Sequence, residues 1–174
     1  MRDLRGALRR AAFTTALGFG VLAGLAGAGQ AQSFDRLVVF GDSLSDNGNL
    51  WTATGGALPP YPSRRFSNGS VWAEYLAGPL NGFFPDGPVD NAANVDFAFG
   101  GARSDAPPLP PGLPLQIGAY ALRGGAFGAS NLAAVWAGAN DLIQGLESTT
   151  PPPTPDAMRA IAITAAQNVV GSTA

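Results

Sequence analysis

The chain has 174 residues, ten arginines, no lysine and twelve acidic residues for a net charge of −2, and neither histidine nor cysteine. Without cysteine its stability rests on core burial rather than disulfides, and without His or Cys the usual zinc ligands are missing. From residue 32 onward six scattered arginines face eleven acids, a charge of −5 that excludes nucleic acid as a partner.

The first segment reads as a secretory signal peptide. Arg2, Arg5, Arg9 and Arg10 give a basic start, an apolar stretch follows from Ala11 to Leu25, and small residues lead to a cut between Ala28 and Ala31. That stretch is too short and too rich in glycine for a membrane span of about twenty apolar residues. The expected organisation is therefore a signal peptide over 1–31 and one mature domain over 32–174, secreted or periplasmic. A retained N-terminal anchor is the alternative.

Leu37-Val38-Val39-Phe40 is short, β-branched in its middle and bounded by Gly41, which predicts a buried parallel strand. Asn47 to Pro62, rich in Gly, Pro, Thr and Asn, reads as a loop or an irregular helix start. Ser70 to Ala77 predicts one short amphipathic helix with Ser70 as cap candidate. Val95 to Phe99 leading into Gly100-Gly101, and Asn131 to Ala137 leading into Gly138, repeat the strand-then-glycine pattern. Three such strands at helix-sized intervals predict βαβ units and a parallel sheet. Pro107 to Pro114 and Pro151 to Pro155 are loops, and Asp156 is an N-cap candidate for a helix from Ala157 to Val170. A crossover helix after a third strand calls for a fourth strand, which the sequence does not supply.

The loops after the three strands each carry a group suited to acyl transfer: Ser43, Gly100-Gly101 and Asn140. A serine at the carboxyl end of a parallel sheet lies where ligands bind in such folds. A glycine N–H approaches a substrate closely because no Cβ intervenes, and an Asn side chain offers an NH2 to the same oxygen. Singly, each has a structural reading as a helix cap or turn. Together, at successive strand ends, they point to a site.

Phe40-Gly41-Asp42-Ser43-Leu44-Ser45-Asp46-Asn47-Gly48-Asn49 resembles the first block of the GDSL lipases and esterases, also called SGNH hydrolases. Arg65 to Leu76 resembles the stretch that follows in the secreted bacterial and plant-type branch, Phe97 to Ala102 the family's second block and Gly138-Ala139-Asn140-Asp141 its third. The resemblance implies a three-layer α/β/α, flavodoxin-like parallel sheet with its first and third strands adjacent. It implies Ser43 as nucleophile, its backbone N–H joining Gly101 and Asn140 in an oxyanion hole, with Gly100 as the fallback glycine. Asp42 and Asp46 support the turn. The family's closing Asp-x-x-His block has no counterpart here, so the chain is expected to be the N-terminal portion of such an enzyme. Its C-terminal strands would then be missing and the chain alone nearly inactive. The expected substrate is a small-molecule or lipid ester, with no cofactor and no metal.

Rival patterns fail on spacing. There is no Gly-x-Ser-x-Gly elbow, and Asp42, Asp46, Asn47 and Gly48 do not follow the spacing of an EF-hand. The alternative of another class is an exported, non-catalytic protein that uses the same cleft to bind an acyl or glycan ligand.

Overall fold

The computed structural model describes residues 33–59, 61–84, 87–148 and 151–173, so the signal-peptide reading of 1–31 lies outside the described residues. In chain order the elements are β1 (Arg36–Gly41), α1 (Asn49–Ala53), α2 (Trp72–Ala77), β2 (Val95–Asp96), α3 (Leu113–Leu122), β3 (Asn131–Trp136), α4 (Ala139–Glu147) and α5 (Pro155–Thr173).

The sheet is parallel in the order β2-β1-β3. Residues Arg36 to Gly41 pair in register with Asn131 to Trp136, and Val38-Val39 pair with Val95-Asp96. All six residues of β1 are buried, as a strand covered on both faces requires. Alternation along β1 divides the core. Val38 and Phe40 turn to a face shared with Val95, Phe97, Leu113 and Tyr120, against which Val169 of α5 also packs. Leu37 and Val39 turn to the other face, against Val71 and Ala73 at the start of α2. Helices thus cover both faces of the sheet, the α/β layering expected, with β1 and β3 adjacent. Among the described residues no strand pairs with the far side of β3.

Several boundaries differ from the sequence reading, each for a local reason. β1 extends through Gly41. β2 is only two residues long, and Phe97 and Phe99 continue beside β1 through N–H donations to the carbonyls of Val39 and Gly41, at 2.8 and 3.0 Å. Of the two readings of Asn47 to Pro62, loop or irregular helix start, the second holds at its beginning, where Asn49 to Ala53 form a helical turn. Helix α3 starts at Leu113, at the end of the proline-rich stretch assigned to a loop. Pro114 sits in its first turn, where a missing N–H is tolerated. Thr154 rather than Asp156 caps α5, its hydroxyl accepting the Ala157 N–H at 3.3 Å. At α2 the carboxylate of Glu74, not Ser70, meets the first turn, accepting the Val71 N–H at 2.9 Å while pairing with Arg65.

At the opposite end of β1 from the serine, the buried Arg36 guanidinium donates to the Ala93, Ala126 and Asp90 carbonyls, Asn91 Oδ1 and the Tyr120 hydroxyl. Satisfying a buried cation with neutral acceptors ties β1 to the loops that flank it.

Candidate active site

β1 delivers the chain to a turn that only glycine permits. Gly41 has φ of 152°, and a Cβ there would lie 2.2 Å from the Trp136 carbonyl oxygen. That close approach lets the Asp42 N–H donate to the same carbonyl at 3.1 Å, carrying the β1–β3 pairing into the turn. Ser45 and Asp46 N–H groups then donate back to the Asp42 carbonyl, and Ser43 stands half-buried on the bend between.

Asp46 organises the chain beyond the turn. Its carboxylate accepts the N–H groups of Gly48 and Asn49 on Oδ1 at 2.8 and 2.6 Å, and those of Leu50 and Gly100 on Oδ2 at 3.1 and 2.8 Å. The first three start α1, and the fourth belongs to the loop after β2. Burial pushes the Asp46 carboxyl above the ordinary carboxylate range, and its four N–H bonds pull it back only in part. Asp96, fully buried on β2, accepts from Ala98 and Asn47 N–H groups. Burial drives it further up than Asp46, whose neighbouring charge adds to the effect.

The other two loops are tied just as directly. Asn140, at the start of α4, donates from Nδ2 to the Ala102 carbonyl at 2.7 Å. Asp141 accepts the Ser104 N–H at 2.9 Å and its hydroxyl at 2.7 Å, and Asn168 of α5 donates to that hydroxyl. The glycine loop is therefore hydrogen-bonded to both the serine turn and the Asn140 loop, and the serine turn is bonded to the end of β3 that leads into the Asn140 loop.

Asp42 is the exception among the carboxylates of this cluster. Its Oδ1 accepts the Leu44 N–H at 3.1 Å, while the buried Oδ2 has no partner among the described residues. Burial raises its pKa, the Leu44 N–H opposes that, and the nearby Asp141 adds to it.

The two glycines differ. The Gly100 N–H is buried and bound by Asp46, whereas the exposed Gly101 N–H has no partner among the described residues. Gly101 has φ of 79° and lies under Pro110. The Ser43 N–H and hydroxyl likewise have no partner among the described residues, and Asn140 keeps one amide hydrogen beyond the one given to Ala102.

Beside the serine turn opens a cavity of about 350 Å³ lined by Leu44, Phe66, Val71, Trp72 and Trp136 together with Ser67 and Ser70. The Trp72 indole N–H donates to the buried Ser45 hydroxyl at 3.1 Å, fixing one wall to the turn. Among the described residues no group of three His, Cys, Asp or Glu side chains is arranged to hold a metal.

Three residues of this cluster were not singled out from the sequence. Gln116 and Asp96 are fully buried, and Asn49 donates to the Asp96 and Ala98 carbonyls at 3.0 and 2.8 Å. Gln116 left a signal, since it shares one face of an otherwise apolar helix with Leu113 and Tyr120. Asp96 was the lone charge inside an apolar strand.

A family model described as GDSL-like Lipase/Acylhydrolase matches residues 37–170. Phosphatidylcholine-sterol acyltransferase of Aeromonas hydrophila is 49% identical over 53 residues, 29% of this chain and 16% of that protein. Thermolabile hemolysin of Vibrio parahaemolyticus is 42% identical over 55 residues, 30% of this chain and 13% of that protein. The matched stretch thus spans under a fifth of either relative.

Proposed function

Because the chain belongs to the GDSL-like lipase/acylhydrolase family, we propose that it carries the nucleophile and oxyanion hole of a serine acylhydrolase. Ser43 Oγ attacks the ester carbonyl carbon and surrenders its proton to a base. The oxyanion is met by the Ser43 and Gly101 N–H groups and the Asn140 amide, the alcohol leaves with a proton, and water then releases the acid from the acyl-enzyme. The observation that carries this reading is the set of donors without partners among the described residues on two loops and the glycine loop that bonds to both, with Gly100 spent on Asp46 and Gly101 unspent. That contrast favours Gly101 over Gly100 as the glycine donor.

The 174 residues contain no histidine to act as the base. The chain on its own is therefore a deficient catalyst, limited to the roughly 10³ to 10⁴-fold advantage over water that an oxyanion hole and binding supply. The substrate class is a small or lipid ester. The relative named as a sterol acyltransferase extends the proposal to an acyl acceptor other than water. Residues 1–31 act as an export signal, placing the domain outside the cytoplasm.

The test is covalent. A short-chain alkyl fluorophosphonate forms a Ser O–P bond and loses fluoride, and the serine proton passes to a base that free imidazole can supply. Intact-mass analysis should show one slow adduct, accelerated by imidazole and absent in Ser43→Ala. No adduct on Ser43 would leave the non-catalytic reading, a cleft that binds an acyl or glycan ligand, which the missing histidine favours. Robust turnover of p-nitrophenyl acetate without imidazole, abolished by Ser43→Ala, would refute the deficiency.

A further inference from the structure

We propose that Gln116 is a positioning residue for the acyl-transfer site, holding the Gly41 peptide, and through it the Ser43 turn, where β2 leaves β1. This rests on Ser43 being the nucleophile. The Gln116 side chain is fully buried. Its Oε1 accepts the Gly41 N–H at 2.8 Å, and its Nε2 donates to the Gly41 carbonyl at 2.8 Å and to the Pro111 carbonyl at 2.9 Å. The amide thus grips both polar groups of one residue as a neighbouring strand would, and its own hydrogen-bonding groups are met.

That strand is needed because β2 stops short. Beyond Asp96 only isolated N–H groups reach β1, the last from Phe99 to the Gly41 carbonyl. Without the side chain, the Gly41 N–H is a buried donor two residues before the nucleophile, free to reorient in search of a partner. On the other side Gly41 pairs with Trp136, and Asp42 donates to the Trp136 carbonyl. Gln116 therefore completes a clamp that fixes the peptide plane from which Asp42 and Ser43 depart. Displacing a reacting oxygen by about 1 Å costs on the order of 10²-fold in rate, so the clamp acts on reactivity and not only on stability.

The experiment uses saturating kinetics of Ser43 labelling by the short-chain fluorophosphonate with imidazole present. Gln116→Met removes all three bonds at similar volume, and Gln116→Glu keeps the acceptor and at most one donor, the O–H of a protonated carboxyl. Tyr120→Phe serves as a remote control, deleting the hydroxyl that bonds Arg36 and Ala126. Gln116→Met should lower the maximal labelling rate at least tenfold with half-saturation within twofold of wild type, Gln116→Glu should fall between, and Tyr120→Phe should keep the wild-type rate despite a lower Tm. A Gln116→Met rate equal to that of Tyr120→Phe overturns the proposal. Should Gln116→Met fail to fold, the decision falls to Gln116→Glu, where an unchanged maximal rate overturns it. Amide hydrogen exchange supplies a second reading, with protection lost selectively over residues 41–46 in the Gln116 variants. Failure of the wild-type chain to label at all refutes the nucleophile assignment instead, and exchange still reports on the clamp.

Discussion

Replacing Asp46 probes how the serine turn and the glycine loop are held together. Asp46→Ala strips partners from four N–H groups at once. Gly48 and Leu50 are only partly buried and can recruit water, but Asn49 and Gly100 are buried and cannot. Two buried donors left unpaired, at about 1–3 kcal/mol each, give an expected loss of about 2–6 kcal/mol. Removing a carboxylate whose own burial is unfavourable offsets part of this, which places the expectation in the lower half of that range. Against a total stability of about 5–15 kcal/mol the loss is large. Asp46→Asn keeps one acceptor oxygen and turns its NH2 toward the other pair of donors, so it should fall between wild type and alanine. Urea unfolding followed by far-UV circular dichroism measures both, with the slope checked for constancy. A loss below about 1 kcal/mol for Asp46→Ala would refute the claim that this carboxylate knits the two loops.

Stability should also depend on pH with an unusual sign for carboxylates. Asp42, Asp46 and Asp96 all have folded pKa values raised above 3.8, chiefly by burial. The folded state therefore binds protons more tightly than the unfolded one, and the contribution of these groups is fully present below about 3.8 and lost as pH rises through the folded values. The urea midpoint should be higher near pH 4 than at pH 8, and an equal or lower value near pH 4 would contradict the burial argument. Gly41→Ala drives a Cβ into the Trp136 carbonyl. It should abolish soluble folded protein, whereas recovery of a wild-type circular dichroism spectrum and Tm would show that β3 can yield.

The sequence made the three strands and the serine turn legible because β-branched runs closed by glycine carry a local signal. β1 and β3 form almost as read. The short length of β2 was not legible, since the partner that takes over at Gly41 is a side chain from a distant helix. Helix α3 was hidden because prolines that break a helix interior also suit its first turn, and Leu113-Pro114 reads either way. Ser43, Gly101 and Asn140 stood out by their places after strands. Asp46, read only as a support, emerges as the link between two loops, which depends on a contact 54 residues away in sequence. Gln116 could be suspected from its apolar surroundings, but its partner could not, because nothing local in a sequence says which peptide a buried amide will grip.

The lining of the cavity beside Ser43 gives this protein an optical property. Of three tryptophans in the chain, two stand at that cavity. Trp72 is bonded through its indole N–H to Ser45, and Trp136 lies 6.5 Å from it between ring centres. The third, Trp51, carries the Arg64 guanidinium 4.3 Å from its ring centre. Intrinsic emission is therefore weighted toward the cavity beside the serine turn. An apolar ligand entering the cavity would change the surroundings of two indoles at once and announce itself as a spectral shift, without any label attached to the protein.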